Sequence, residues 1–370
     1  MRPIGIGIVG GGYMGKAHAV AMSAVGAVFE TNLRPRLVKV CATSPESAER
    51  YRAAFGFEGA TDDWRDLVAD PAVEAVIIAS PQSTHRAIAE AAFARGLPVF
   101  CEKPLGASLA DSKAMVAAAE AAGAVNMTGF NYVRTPATQE ARRLIAEGAI
   151  GDVTWFRGEH TEDFLADPDA PANWRTRDRA SGAMGDLAPH MINCALALMG
   201  PIAALSAVIE TVHDTRPGPD GPEQVANDDH AQMMVRFAGG AMGHLYFSRT
   251  ATGRKMGYAY EVHGTKGSIR FDQEDQNSLH VYLREGPEAG RGFTRILTGP
   301  AHPDYAAFCQ GAGHGTGYLD QIIIEARDFL RAIETGKNMF PTFRDGMEVN
   351  RVVDTAWASS ASRSWVSIEG

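Results

Sequence analysis

The sequence is poor in cysteine: four in 370 residues, Cys41, Cys101, Cys194 and Cys309, far apart and with no C-x-x-C among them. That spacing argues against a disulfide framework and a structural zinc site, and makes a reducing compartment the expectation. Basic residues are outnumbered, 35 Lys and Arg against 44 Asp and Glu, for a net charge of −9. Without a local basic patch, such a balance does not suit nucleic acid or an anionic membrane as partner. No apolar run is long enough to span a bilayer, and Met1 leads almost directly into a strand pattern, leaving no room for a signal peptide. The expected location is cytoplasmic. There is no H-E-x-x-H, and no His, Asp and Glu group has convincing ligand spacing, so no metal is expected.

What is present is organised around Ile4–Ala19. Ile4, Ile6, Ile8 and Val9 form a short β-branched run that reads as a buried parallel strand. Gly10, Gly12 and Gly15 follow in G-x-G-x-x-G spacing, and the Ala- and Met-rich stretch Met14 to Val25 reads as a helix. Strand, glycine turn and helix together are the setting in which this motif binds a dinucleotide. Gly10 allows the tight turn, Gly12 the approach of the pyrophosphate, and Gly15 close packing of helix on strand. The helix N-terminus adds free N–H groups for the phosphates.

The length suits two domains at roughly 100–200 residues each. The first third alternates: strand Leu37–Cys41, helix Pro45–Phe55, strand Ala75–Ala79, helix Ala87–Arg95, strand Leu97–Cys101, a helix capped by Ser108 with Asp111 and ending before Gly123, then strand Val125–Phe130. Gly26–Arg36 reads as an irregular connection. The pattern predicts a doubly wound parallel sheet of Rossmann type over residues 1–130. Beyond it come helix Thr138–Glu147, strand Val153–Glu159, a polar loop Asp163–Arg179 and helix Leu187–Met199. Strand-like runs follow at Ala204–Val212, His230–Phe237, Met242–Phe247, Tyr258–His263, Ser268–Phe271 and Leu279–Leu283, with Asp214–Gln224 a Pro- and Gly-rich surface loop. Gly311–Gly317 is a glycine-rich loop, Leu319–Glu334 and Asp345–Ser362 are helices, and Trp365–Ile368 is a short last strand. Residues 131–370 are thus expected to form an α+β domain on a largely antiparallel open sheet, serving substrate binding and oligomerisation.

Several residues have chemistry to offer. Lys103 ends a parallel strand within Cys101-Glu102-Lys103-Pro104-Leu105, where strand ends line a ligand crevice; composition alone would make it a solvated lysine. Asp186 and His190 are four apart at a helix start, a spacing that lets a carboxylate orient a histidine acting as general base. The same residues read equally as an N-cap and an ordinary half-buried histidine. Asn131, Tyr132 and Arg134 lie where the domains join, and Trp174-Arg175 sit in the polar loop near Asp163 and Asn173. Such rings and hydrogen-bonding groups suit a carbohydrate, and also any domain seam. His314 and Tyr318 border the glycine-rich loop, while His18, Met14, Trp155 and Trp357 read as core or seam residues.

GIVGGGYMGKAHA, ASPQSTH at Ala79–His85, CEKPL at Cys101–Leu105, GDLAPH at Gly185–His190, HGTKGSI at His263–Ile269 and PTFRDGMEVNRVVDTA at Pro341–Ala356 together resemble the Gfo/Idh/MocA oxidoreductases over nearly the whole chain. The resemblance implies a Rossmann domain, a second domain with an open sheet, a nicotinamide cofactor, a homotetramer, and a catalytic lysine, aspartate and histidine, which map onto Lys103, Asp186 and His190. The expected cofactor contacts are Gly10, Gly12, Tyr13, Met14, Gly15, Ala42, Thr43, Ser80, Gln82, His85, Glu102 and Lys103. The expected substrate contacts are Asn131, Tyr132, Asp163, Trp174, Arg175 and His314. Within the family, FNYVRTPA at Phe130–Ala137, ADPDAPANWR at Ala166–Arg175 and TGPAHP at Thr298–Pro303 are similar to dehydrogenases of inositols and unusual pyranoses, the scyllo-inositol and levoglucosan groups among them. Two departures stand out: Asn193 where relatives often carry an aspartate, and Thr176 where they often carry phenylalanine. Strand two ends in Cys41-Ala42-Thr43-Ser44, with neither an acid for ribose hydroxyls nor an arginine for a 2′-phosphate. Without that cation, NAD is the expected cofactor. The implied activity is oxidation of a secondary hydroxyl of a cyclic polyol or sugar.

Overall fold

Strand β1 (Arg2–Val9) runs into the glycine turn and helix α1 (Tyr13–Val28) in a computed structural model that describes residues 1–368. Gly10 has φ +113, and a Cβ there would meet the Ala79 carbonyl oxygen at 2.3 Å; a Cβ on Gly15 would meet the Gly10 oxygen at 2.0 Å. Glycine is therefore required at both positions. β2 (Leu33–Cys41) begins soon after α1, so the irregular connection expected at Gly26–Arg36 is mostly helix and strand. The apolar Ala27-Val28 and Leu33 continue both patterns, and the turn between them is closed by Glu334, whose carboxylate accepts the Asn32 N–H at 2.8 Å.

The first sheet continues with α2 (Pro45–Phe55), β3 (Gly59–Thr61), α3 (Trp64–Ala69), β4 (Ala75–Ile78), α4 (His85–Ala94), β5 (Val99–Glu102), α5 (Leu109–Ala122) and β6 (Asn126–Gly129). Its strands are parallel in the order β3-β2-β1-β4-β5-β6, the doubly wound arrangement with its switch point between β1 and β4. Ser108 caps α5 by accepting the Asp111 N–H at 3.1 Å, and Gly123 ends it in the left-handed region, as the sequence predicts. β3 and α3 are additions: a three-residue strand and a six-residue helix are too short for periodicity to reveal.

The second unit contains α6 (Pro136–Ala146), β7 (Val153–Thr161), α7 (Ala183–Asp186), α8 (Ala188–Met199), β8 (Ile202–Glu210), β9 (Thr215–Gly218), β10 (Gly221–Gln224), β11 (His230–Phe237), β12 (Met242–Ser248), β13 (Gly257–Gly264), β14 (Gly267–Asp272), β15 (Ser278–Leu283) and β16 (Thr294–Leu297). Helices α9 (Tyr318–Thr335) and α10 (Phe343–Ser362) and strand β17 (Val366–Ser367) follow. The large sheet has the order β16-β15-β14-β13-β7-β12-β11-β8-β17 and is antiparallel except between β7 and β12 among the described residues. α8 lies against its inner face: the missing Cβ of Gly158 on β7 leaves room for Met191, whose sulfur would stand 2.6 Å from one. The loop expected at Asp214–Gln224 is largely the β9–β10 hairpin, whose prolines and glycines disguise it.

The chain divides into two compact units, Met1–Arg134 with Thr316–Asn350, and Thr135–Gly315 with the chain from Arg351 onward. The opening segment of the first unit runs to Arg134, and the chain returns to that unit with Thr316–Asn350. There α9 packs through Phe329 on Phe100, with ring centroids 5.8 Å apart, and through Gln321 on Asn131. Among the described residues no helix is long and apolar enough to cross a membrane.

Candidate active site

In the first unit, α1 begins at Gly12, which has no side-chain cap, and nothing lies within 4 Å of where its Cβ would stand. Open space in front of uncapped helix N–H groups fits the diphosphate of a dinucleotide. Tyr13 is exposed beside this turn, its ring 6.1 Å from that of Tyr318, and the Tyr318 hydroxyl reaches the Met14 sulfur at 3.5 Å. Ala42 donates its N–H to the Thr61 oxygen at 3.2 Å, so the end of β2 faces the start of the β3–α3 turn. Asp63, Asp62 and Asp66 of that region, after burial itself, push the Cys41 thiol up to about 11. Acidic residues of the β3–α3 turn thus lie near the end of strand two.

Ser80, Gln82 and His85 follow β4, where Ser80 Oγ lies 2.6 Å from Thr84 Oγ1. His85, expected to contact the cofactor, is buried. Its Nε2 faces the Ser80 oxygen at 2.9 Å and its Nδ1 the Leu105 oxygen at 3.1 Å, so it fastens the β4 loop to the turn after β5. Burial holds its pKa below the usual histidine value. Glu102 is likewise turned inward: Oε1 lies 2.7 Å from His18 Nε2, and Oε2 accepts the Lys103 N–H at 3.2 Å. Lys103 is half-buried directly after β5. Asn131, expected at a substrate, is buried and donates to Gln321 Oε1 at 2.8 Å; Tyr132 is buried against Tyr318, centroids 6.0 Å apart.

In the second unit, Asp186 ends the one-turn helix α7 and Leu187 occupies the N-cap of α8. The N-cap expected at Asp186 is therefore absent. Pro189, in the first turn of α8, has no N–H with which to continue the ladder from α7, so the two helices stay separate. The Asp186 carboxylate accepts a hydrogen bond from Arg175. The Arg175 guanidinium lies 4.4 Å from the centre of the exposed Trp174 ring and 5.2 Å from Phe164. Asn173 holds this turn by accepting the Arg175 N–H at 2.9 Å. Asp163 accepts from Lys255 Nζ at 2.7 Å and the Gly253 N–H at 3.0 Å, and these bonds hold its carboxyl below the usual range.

His190 is buried on α8, its ring 5.6 Å from that of His160. His160 is anchored by the Leu187 oxygen at 2.9 Å and Glu162 at 3.2 Å. His160 was not singled out by the sequence; strand alternation places it on the inner face of β7. His314 stands on the glycine-rich loop, Nδ1 2.9 Å from the Gly311 oxygen, and with Ala306–Gln310 lines an open cavity of about 440 Å³. Tyr305 pins that loop, donating to the Gly311 oxygen at 3.0 Å and accepting the Gly315 N–H at 2.9 Å. Among the described residues no three His, Cys, Asp or Glu side chains converge as metal ligands.

An uncapped glycine turn on a Rossmann sheet, in a chain whose second unit holds a carboxylate and a histidine on successive helices, defines a dinucleotide-dependent oxidoreductase. Comparison with known proteins narrows the class. Residues 4–130 match the oxidoreductase family's NAD-binding Rossmann fold, and residues 138–270 match the GFO/IDH/MocA C-terminal domain. The chain is 40% identical to levoglucosan dehydrogenase of Pseudarthrobacter phenanthrenivorans, over 100% of this chain and 99% of that one. It is 29% identical to inositol 2-dehydrogenase of Rhizobium meliloti, over 98% of each. A solved levoglucosan dehydrogenase in complex with NADH and levoglucosan superposes with a TM-score of 0.96 at 40% identity, covering 100% of both chains. The chain belongs to the Gfo/Idh/MocA oxidoreductases, in their group of sugar and inositol dehydrogenases.

Proposed function

We propose that the protein oxidises a secondary hydroxyl of a cyclic sugar with NAD as acceptor. The observation that carries this reading is the Arg175–Asp186 pair, flanked by the Trp174 ring and placed one short turn before the helix of His190. A charged pair beside an exposed aromatic face suits a ring rich in hydroxyls. Bound NAD supplies the acceptor for the hydride that leaves the carbinol carbon. The Gly10–Gly15 turn and the α1 N-terminus hold the diphosphate. Lys103 Nζ donates to the reacting oxygen and offsets its growing negative charge. His190 takes the hydroxyl proton on its imidazole. Asp186 supplies the negative charge that favours the imidazolium, and Arg175 fixes its direction.

Trp174, Tyr132 and His314 are assigned to the sugar; Asn131 is held by Gln321 and Asp163 by Lys255. Full-length identity of 40% to a levoglucosan dehydrogenase, against 29% to an inositol dehydrogenase, supports an anhydro-pyranose or pyranose ahead of an inositol. The outward-facing Val208, Met234 and Met242 on β8, β11 and β12 support a homotetramer formed through that sheet. Four free thiols suit the cytoplasm. A screen of NAD reduction across levoglucosan, D- and L-pyranoses and inositol isomers tests the reading. Turnover of a pyranose above any inositol supports it, and no reduction with any of them overturns it.

A further inference from the structure

α7 carries Asp186 but begins at Gly182, a residue with no side chain to cap it. The cap comes from elsewhere. Asp228, in the β10–β11 connection, accepts the Met184 N–H on Oδ2 at 2.8 Å, and its own carbonyl accepts the Ala183 N–H at 3.1 Å. The fit is close: a Cβ on Gly182 would stand 2.0 Å from Asp228 Oδ1. Glycine at 182 is thus the space in which the Asp228 carboxylate sits. The flanking residues grip the turn that carries Arg175. Asn227 donates to the oxygens of Arg175 and Asp178 at 2.8 and 2.7 Å. Arg249 donates to Asp229 at 2.9 Å, to the Arg175 oxygen at 2.6 Å and to the Ser181 oxygen at 3.1 Å.

We propose that Asp228 is a positioning residue for the reaction assigned above: by capping α7 in place of Gly182 it fixes the Asp186 carboxylate, two residues beyond the amide it holds. The inference rests on the catalytic reading of Asp186. Asp228 touches no reacting atom and acts only through the first turn of α7. Its charge also responds to pH in the working range. Burial pushes the carboxyl up to about 6; Asp229 adds to the rise, and Arg249 and the Met184 N–H oppose it. Protonation weakens the acceptor that holds Met184, so the turn loosens as the pH falls through that value. With His190 also losing activity when protonated, the acid limb of kcat/KM carries two protonations.

The test compares Asp228→Ala, Asp228→Asn and Asp186→Asn with the parent enzyme, on the best sugar, from pH 5 to 9. Asp228→Ala is expected to lose kcat about 10–100-fold at pH 8, the scale of a misplaced catalytic group, with KM for NAD within about twofold of the parent. Asp228→Asn keeps an oxygen acceptor for Met184 but, like protonated Asp228, no charge, and is expected to recover only a minor part of that loss. The slope of log kcat/KM below pH 6 is expected to fall from about two to about one in Asp228→Asn. Because a raised carboxyl pKa means that folding binds a proton more tightly, ionised Asp228 costs stability above pH 6, and Asp228→Asn should melt no lower than the parent at pH 8. If Asp228→Ala does not fold, the slope of the Asn variant decides. A parent-like slope in Asp228→Asn, or parent kcat in Asp228→Ala, overturns the inference while leaving the function intact if Asp186→Asn is impaired. Parent activity in Asp186→Asn overturns the catalytic reading, and this inference with it.

Discussion

Nε2 of His18 lies 2.7 Å from Oε1 of Glu102, a buried contact between residues 84 apart in sequence. It joins the helix of the glycine turn to the strand that delivers Lys103, because the other Glu102 oxygen accepts the Lys103 N–H. The cofactor turn and the lysine turn of this unit are therefore braced by one hydrogen-bonded pair. His18→Ala leaves a buried carboxylate without this partner and is expected to cost about 1.5–3 kcal/mol, the value of a hydrogen bond to a charged group. His18→Gln keeps a donor and should recover part of it. Thermal melting of both variants, with NADH affinity by fluorescence, checks this. Parent-like melting of His18→Ala would show that the pair holds nothing.

A second buried acid, Glu325 on α9, faces Glu102 and Asp328, with Arg134 opposing. Burial is the largest cause of a carboxyl pKa raised well above 4.5. The sign follows from linkage: the folded state keeps this proton when the unfolded chain has lost it. Stability from this group is complete below the unfolded value and declines as the pH climbs toward the folded one. Glu325→Gln has no such proton to lose. Its melting temperature relative to the parent should rise steadily as the pH is taken from 5 to 9; a constant difference would refute the assignment.

The sequence made the Rossmann half legible because each strand there is a short apolar run followed by a helix with its own cap or glycine stop, as at Ser108 and Gly123. Ser108, Gly10 and Gly15 act locally, and local chemistry is what a sequence displays. The second half was legible as alternating strands, but its order was not, since β7 reaches β12 and β13 only through tertiary pairing. Nor could periodicity tell that α9 and the start of α10 belong to the first unit. The site divided in the same way. Asp186 and His190 stand on spacing and a motif. The Arg175–Asp186 pair, the His85 clamp and the Asp228 cap join residues that only folding brings together.

Cofactor choice can be read from the β3–α3 turn. The end of β2 lacks an acid, yet Asp62, Asp63 and Asp66 stand close enough to raise the Cys41 thiol. Their negative field should disfavour a 2′-phosphate. NAD is expected to be used with higher kcat/KM than NADP, and Asp62→Arg to move the ratio toward NADP by about tenfold, less at high salt. Steady-state kinetics with both cofactors and direct NADPH binding measure it. A parent enzyme that prefers NADP would refute the first statement, and an unmoved ratio in Asp62→Arg the second.

The glycine-rich loop is held from beneath by Tyr305 and from its flank by Cys309, whose thiol donates to the Gly315 oxygen at 3.0 Å. His314 Nδ1 faces the Gly311 oxygen, which leaves Nε2 as the nitrogen to meet a ligand hydroxyl. His314→Ala is expected to raise KM for the sugar several-fold, about 1 kcal/mol for one lost hydrogen bond, with melting temperature unchanged because the residue is exposed. Unchanged KM and kcat would return the loop to a structural role.

The three catalytic assignments should fail in different ways. His190→Ala removes the proton acceptor, a contribution of typically ~10²–10⁴-fold, and should lower kcat while NAD still binds, since the glycine turn belongs to the other unit. Lys103→Met keeps bulk and removes the donor to the reacting oxygen, so kcat falls without loss of the turn that His85 fastens. Asp186→Asn keeps the shape of the acceptor for Arg175 but not its charge. It should cut kcat and shift the rise of activity to lower pH, because the imidazolium loses a negative neighbour. Since Leu187, not Asp186, is the N-cap of α8, Asp186→Ala should lose activity without the ~1 kcal/mol that a lost cap would cost. The measurement is kcat against pH for each variant, with NADH affinity and melting temperature alongside. Near-parent turnover in His190→Ala and Lys103→Met would put the chemistry on other residues, whereas a large fall in melting temperature in Asp186→Ala would make its pair with Arg175 a structural bond first.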